Sequence, residues 1–178
     1  VPTELDRARI DAVVQAVADR LRGDWLLIGG GLVALWFDPR RVTEDVDLVG
    51  IEGTGADRLD LLGLAHDLGL PVEAVNSAAD FFVHKIVGWR QLIEPFRQGS
   101  GARIFRPSPT LFLLLKLRRL SARDLDDCLS LLEHVTTDSL AIDVQQLLAT
   151  LDELPSVEDL SLTNRRARLR TALSAFST

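Results

Sequence analysis

The chain has 178 residues, 47% of them hydrophobic, a formal net charge of −6 and one cysteine, Cys128. That length fits one domain, or one domain with a small appendage, with enough apolar residues for a real core. The charge argues against bulk electrostatic capture of nucleic acid and leaves only local basic patches. A lone cysteine excludes an intrachain disulfide and suits a reducing compartment. No apolar run approaches the ~20 residues of a membrane span, and the charged N-terminal stretch lacks a signal-peptide core. A cytoplasmic protein that crosses no membrane is expected.

Residues 4 to 22 predict an amphipathic helix, with Ile10, Val13, Val14, Val17 and Leu21 at helical spacing and Thr3 as its cap. Gly23 and Asp24 break it. Trp25 to Ile28 reads as a buried strand. Gly29, Gly30 and Gly31 read as a tight turn, and Leu32 to Phe37 as a short helix ended by Asp38-Pro39. From Asp45 to Ile51 acid and apolar residues alternate, which is strand periodicity.

Gly53 and Gly55 predict a loop, residues 56 to 69 a helix closed by Gly69, and Pro71 to Val75 a third strand. Residues 78 to 98 read as mostly helical, with Gly88 and Pro95 as interruptions, and Ala102 to Arg106 as a fourth strand. Ser108 caps the next helix with Pro109 at its first position. Further helices are expected over about 122 to 134, 139 to 151 and 163 to 175. The fold class is therefore α/β (α+β): a small mixed sheet flanked by helices over residues 1–106, then a helical part over 107–178. No linker rich in Pro, Gly or Ser divides the two, so the helical part is expected to pack on the core.

Asp45 and Asp47 carry the chemistry. In a strand, residues i and i+2 share a face, roughly 6.5 to 7 Å apart. Carboxylates held there repel unless a cation lies between them, and Mg²⁺ suits the arrangement because it keeps positions open for phosphate oxygens. A glycine turn upstream lets backbone N–H groups approach a phosphate at a helix N-terminus. Two other readings compete. The acids can lie on a solvated strand face. Alternatively, Gly29-x-Gly31-x-x-Ala34 fits a dinucleotide-binding fingerprint, with Asp47 18 residues after Gly29. Against the latter, the helix is short and repeated strand–helix units are lacking.

Gly29-Gly30, followed by Arg41-Val42-Thr43-Glu44-Asp45-Val46-Asp47-Leu48, resembles the signature of the nucleotidyltransferase superfamily. More narrowly, it is similar to the small bacterial branch that includes nucleotidyltransferase-like proteins of toxin–antitoxin and abortive-infection systems. The run "KLRRLSARDLDD", residues 116 to 127, adds to the likeness through Lys116, Arg123, Asp124 and Asp127. The resemblance covers roughly residues 25 to 135. It implies a nucleotidyltransferase-like fold and Mg²⁺-dependent transfer of a nucleotidyl group from an NTP to a hydroxyl on RNA, protein or a small molecule. A cognate toxin or antitoxin is an implied partner. Gly29 and Gly30 would hold the triphosphate and Asp45 and Asp47 the Mg²⁺. Arg41 and Thr43 would contact phosphate or shape the site, and Lys116 would reach a phosphate. Asp124 and Asp127 would support the nucleotide site.

The superfamily's third carboxylate falls on Glu73, within "LPVEAVN", with Asp80 in reserve and Asn76 as a polar contact. Glu73 also reads as an ordinary exposed strand residue. In that case the chain either binds nucleotide without turnover, as a catalytically inactive interaction protein on the same fold, or uses another base. Asp124 also fits a capping box with Ser121. Arg118, Arg119 and Arg123, and likewise Arg165, Arg166, Arg168 and Arg170, read as solvated helix faces or as docking surfaces. His66, His84 and His134 have no metal-ligand spacing. Trp25, Trp36 and Trp89 read as core or pocket wall.

Overall fold

The computed structural model describes residues 4–52, 57–77 and 80–176. The chain divides into two compact units, Val1–Pro107 and Ser108–Thr178. The first is a mixed five-stranded sheet with helices, and the second is all helix. Among the described residues, no helix is long and apolar enough to cross a membrane.

The first unit opens with α1 (Arg7–Arg20), whose stripe Ile10, Val13, Val14 and Val17 is buried. The helix starts later than the periodicity suggests. Asp6 is the N-cap, its carboxylate accepting from the Arg9 N–H at 2.9 Å. Thr3 lies outside the described residues. Leu5, ahead of the cap, is extended instead. It exchanges both backbone hydrogen bonds with Thr43, at 2.7 and 3.2 Å.

Next come β1 (Gly23–Ile28), α2 (Gly29–Trp36), β2 (Val46–Gly50) and α3 (Asp57–Asp67), then β3 (Val75–Asn76), α4 (Asp80–Val83), β4 (Ile93–Gln98) and β5 (Ala102–Pro107). The sheet order is β3-β2-β1-β5-β4. The pairs β1–β2 and β4–β5 are antiparallel, and β1–β5 and β2–β3 are parallel. Helices α1 and α2 contact each other, and α2 contacts β1 and β2. Beneath α2, Val46 and Leu48 are fully buried, while Asp47 between them is only half-buried. Strand alternation thus sends the apolar residues to the core and the acid to the other face.

Three local expectations are corrected. The glycines do not precede α2; they form its first turn. Residues 71 to 75 are not a strand: Val72–Ala74 is a 3-10 turn, and pairing begins only at Val75. Residues 78 to 98 are not mostly helical, since α4 is short and a 3-10 turn at Trp89–Leu92 leads into β4. Gly88, at φ +75°, is the N-cap of that 3-10 turn. Pro95 would break a helix interior, but β4 is a sheet edge with a register shift between Pro95 and Arg97, where proline is tolerated.

The second unit comprises α5 (Pro109–Leu117), α6 (Ala122–Asp138), α7 (Val144–Glu153) and α8 (Leu160–Ser174). Ser108 caps α5 with Pro109 at its first position, as the sequence leads one to expect. Helix α5 contacts α6 and α7, and α8 contacts the same two. Three of the four arginines of α8 are tied into this unit. Arg165 donates to the Leu120 carbonyl at 2.6 Å, Arg166 to that of Pro155 at 2.8 Å, and Arg170 pairs with Asp152.

Candidate functional site

The first cluster forms where β1 runs into α2. The β1–β2 register sets Ile28 opposite Asp47, so Gly29 arrives beside that carboxylate. A Cβ on Gly29 would stand 2.3 Å from Asp47 Oδ2, and the residue has φ +71°. A Cβ on Gly30 would stand 2.7 Å from Thr43 Oγ1 and 3.4 Å from Arg41 Nη2. Each glycine therefore faces functional groups at a distance that no side chain permits. Ile28, the N-cap of α2, supplies no side-chain hydrogen bond. The positive end of the helix lies at this turn, a favourable place for an anion.

Asp45, immediately before β2, is gripped at both oxygens. Thr43 Oγ1 donates to its Oδ1 at 3.2 Å, and Asn76 Nδ2 to its Oδ2 at 3.3 Å. Asn76 also stands beside Asp47 in the parallel β2–β3 register and donates to the Glu73 carbonyl at 3.2 Å. Leu5 fixes the backbone of Thr43 from the other side. No local sequence signal marks that role for Leu5, because the bridge spans the whole of α1 and α2. Arg41 Nη1 donates to the Val42 carbonyl at 2.6 Å, and Glu44 is exposed. Gly29, Gly30, Arg41, Thr43, Asp45, Asp47 and Asn76 thus converge on one end of the sheet.

No family model, curated protein or solved structure matches the chain.

Glu73 does not join the strand acids. It is exposed in the 3-10 turn, and the strand position beside Asp47 belongs to Asn76. Proline at 71 favours the turn over a longer strand, so the apolar neighbours Val72 and Ala74 mislead. Asp80 is engaged by His84, with Nδ1 at 3.0 Å from its carboxylate. Among the described residues, no three His, Cys, Asp or Glu side chains form a group that could hold a metal ion. The donors of Asp45 and Asp47, beside a cradle that a Cβ would fill, still fit a hard dication that takes two protein carboxylates and completes its shell with phosphate and water. Mg²⁺ behaves in this way.

Lys116, Asp124 and Asp127 are brought together with one another in the second unit. Lys116 Nζ lies 2.8 Å from Asp124 Oδ1 and 3.2 Å from Asp127 Oδ2. Arg119 grips Asp124 through Nε and Nη2 at 2.8 and 2.9 Å. Ser121 and Asp124 complete a capping box at the start of α6. Both aspartates are buried. Cys128 is buried too, and burial pushes its thiol well above the ordinary range, so it is unreactive.

Burial alone would raise the Asp124 carboxyl, but hydrogen bonds from Arg119, Lys116 and Ser121 and the charge of Lys116 outweigh it and hold it far below the ordinary value. A depressed folded pKa means stability that is complete above the unfolded value of about 3.9 and lost as pH falls through the folded one. Thermal melts of the parent from pH 6 to pH 2.5 should fall steeply below about pH 4. In Asp124→Asn the melts should start lower and be flatter over that window.

Proposed function

We propose that the first unit binds a nucleoside triphosphate with Mg²⁺ and transfers its nucleotidyl group to a hydroxyl, in the manner of the nucleotidyltransferase superfamily that residues 29–48 resemble. The observation that carries this reading is the approach of Gly29 and Gly30 to Asp47, Thr43 and Arg41. Glycine at both places lets the Asp47 carboxylate and the Thr43 hydroxyl pack directly against the first turn of α2, which sets the acid beside a helix N-terminus where phosphate would bind. Asp45 and Asp47 would hold the dication, which supplies charge neutralisation on the phosphate oxygens. The first-turn N–H groups of α2 and the Arg41 guanidinium would orient the triphosphate. Thr43 and Asn76 would keep Asp45 aimed. Positioning and electrostatics of this kind supply most of the rate in phosphoryl-type transfers. The antiparallel β1–β2 pair weighs against the dinucleotide reading, because that unit needs parallel strands joined by a crossover helix.

Asn76 favours a second reading. With an amide beside Asp47 and Glu73 outside the strand, the same site could bind metal–nucleotide without turnover and serve an interaction protein, for instance one member of a toxin–antitoxin pair. Calorimetry with NTP and Mg²⁺, on the parent and on Asp45→Ala/Asp47→Ala, tests what both readings share. Binding by the parent and its loss in the double variant are expected; equal binding by both removes the site. Transfer of radiolabel from an NTP to an acceptor then separates enzyme from binder.

Asn76→Asp should add a third acid at the strand position. Repulsion against Asp45 should lower the metal-free melting temperature. Added Mg²⁺ should restore it by several degrees more than in the parent, as read by differential scanning fluorimetry.

A further inference from the structure

Asp45 lies one residue ahead of β2, at the end of the irregular stretch 37–45 that joins α2 to that strand. The β1–β2 register reaches Asp47 and the β2–β3 register starts at Val46, so neither ladder holds Asp45. Within the stretch the backbone bonds are local, as in the Arg41 N–H donating to the Asp38 carbonyl at 3.0 Å. At Thr43 the stretch is tied to a distant segment instead. The Leu5 N–H donates to the Thr43 carbonyl at 2.7 Å, and the Thr43 N–H to the Leu5 carbonyl at 3.2 Å. We propose that Leu5 is a positioning residue for the dication site: through this backbone bridge it sets Asp45, so that docking of Leu5 and binding of metal–nucleotide strengthen each other. The coupling to nucleotide rests on the triphosphate reading of the carboxylates.

Both ends of the bridge are anchored. Leu5 is wholly buried, and its neighbour Asp6 caps α1. Thr43 is buried too. Its hydroxyl donates to Asp45 Oδ1 at 3.2 Å and lies 2.7 Å from where a Cβ on Gly30 would stand. Thr43 therefore touches the N-terminal segment, the first turn of α2 and a carboxylate at once. Held by its backbone on one side and by its hydroxyl on the other, it converts the docking of Leu5 into a position for Asp45. Undocking Leu5 frees Thr43 to turn and leaves Asp45 to Asn76. A dication shared by Asp45 and Asp47 needs both carboxylates in place, so it favours the docked state. By linkage the docked state then favours the dication by the same factor. Local openings cost less than global unfolding, which gives a ligand a population to shift.

Two buried apolar residues supply the test. Leu5→Ala loosens the bridge, and Val17→Ala removes a buried side chain near the far end of α1. Both should lower the melting temperature. In ¹⁵N spectra of the full chain without ligand, Leu5→Ala should shift the side-chain amide of Asn76, which donates to Asp45, and Val17→Ala should leave it in place. Calorimetry with Mg²⁺ and NTP should show binding about five- to tenfold weaker in Leu5→Ala, the low end of an ordinary coupling, and parental binding in Val17→Ala. Leu5→Met, which keeps the apolar volume, should restore both readouts. An unmoved Asn76 amide in Leu5→Ala, or equal effects of the two alanine variants, overturns the proposal. If Leu5→Ala does not fold, the parent decides. Mg²⁺–NTP should slow hydrogen exchange of the Leu5 and Thr43 amides at least about fivefold more than that of Leu21, which donates to Val17 at the end of α1. Equal slowing at all three overturns the proposal. Failure of the triphosphate reading has a separate signature: the parent binds no Mg²⁺–NTP, while the Asn76 amide still separates Leu5→Ala from Val17→Ala.

Discussion

Gly29→Ala is expected to lose Mg²⁺–NTP binding by more than tenfold while the chain still folds. Two effects combine. The residue sits at φ +71°, where an L side chain costs roughly 1–2 kcal/mol. The added Cβ also lands 2.3 Å from Asp47 Oδ2, so the carboxylate must move. Asp47 is half-buried in β2, opposite Ile28, and its backbone is fixed by the ladder. The side chain must therefore rotate away from the first turn of α2. Gly30→Ala acts on a different group. Its Cβ would meet Thr43 Oγ1 at 2.7 Å, and that hydroxyl also donates to Asp45. A smaller loss of affinity is expected there, because Thr43 can turn while Asn76 still holds Asp45. Calorimetry gives the affinities, and circular dichroism confirms the fold. Unchanged affinity in Gly29→Ala would mean that the phosphates lie elsewhere.

Lys116→Met should destabilise the helical unit by about 3–5 kcal/mol, the usual cost of removing one partner from a buried ionic group. Lys116 is the cation that Asp124 and Asp127 share, and both acids are buried. Arg119 retains its grip on Asp124, but its side chain is largely exposed, so water screens that contact more than it screens the buried Lys116 ammonium. The companion variant Lys116→Met/Asp124→Asn/Asp127→Asn should recover much of the loss, because no charge then stays buried without its counter-ion. Urea denaturation measures both. This pair also sorts the two roles open to Lys116. A lysine serving only phosphate would leave stability unchanged on substitution and lower nucleotide affinity instead.

Periodicity carried the sequence reading furthest where burial has one direction. The stripe of α1, the apolar run Trp25–Ile28 and the Ser108-Pro109 start of α5 each combine a local pattern with a local signal, and each stands in the structure. The misreadings share a cause in pairing between distant segments. Residues 93–98 form a strand because β5 offers a partner, with proline placed at the edge and a register shift absorbing it. Leu5 is extended because Thr43 pairs with it across α1 and α2. Neither partner is visible in a short window of sequence.

The candidate site divides in the same way. The alternation that places Asp47 was legible, because period 2 is local, whereas the glycines form the first turn of α2 and Asp45 lies just before the strand. The environment of Asp45 was not, since it depends on Asn76, a residue 31 positions away that enters through sheet register. Glu73 looked like a strand acid because Val72 and Ala74 flank it, yet the turn after Pro71 sets it aside. Lys116 looked out of place in an apolar helix. Asp124 and Asp127 on the next helix pair with it, an ionic group within the helical unit.

The central claim is that a dication sits between the glycine turn and the β2 acids when nucleotide is bound. Mn²⁺, added in place of Mg²⁺ to the ¹⁵N-labelled full chain with NTP, locates it directly through paramagnetic broadening of amide signals. The account predicts broadening centred on Gly29, Gly30, Asp45, Val46, Asp47 and Asn76, and its loss in Asp45→Ala/Asp47→Ala. Broadening centred on any other acidic surface, or unchanged in the double variant, would contradict it.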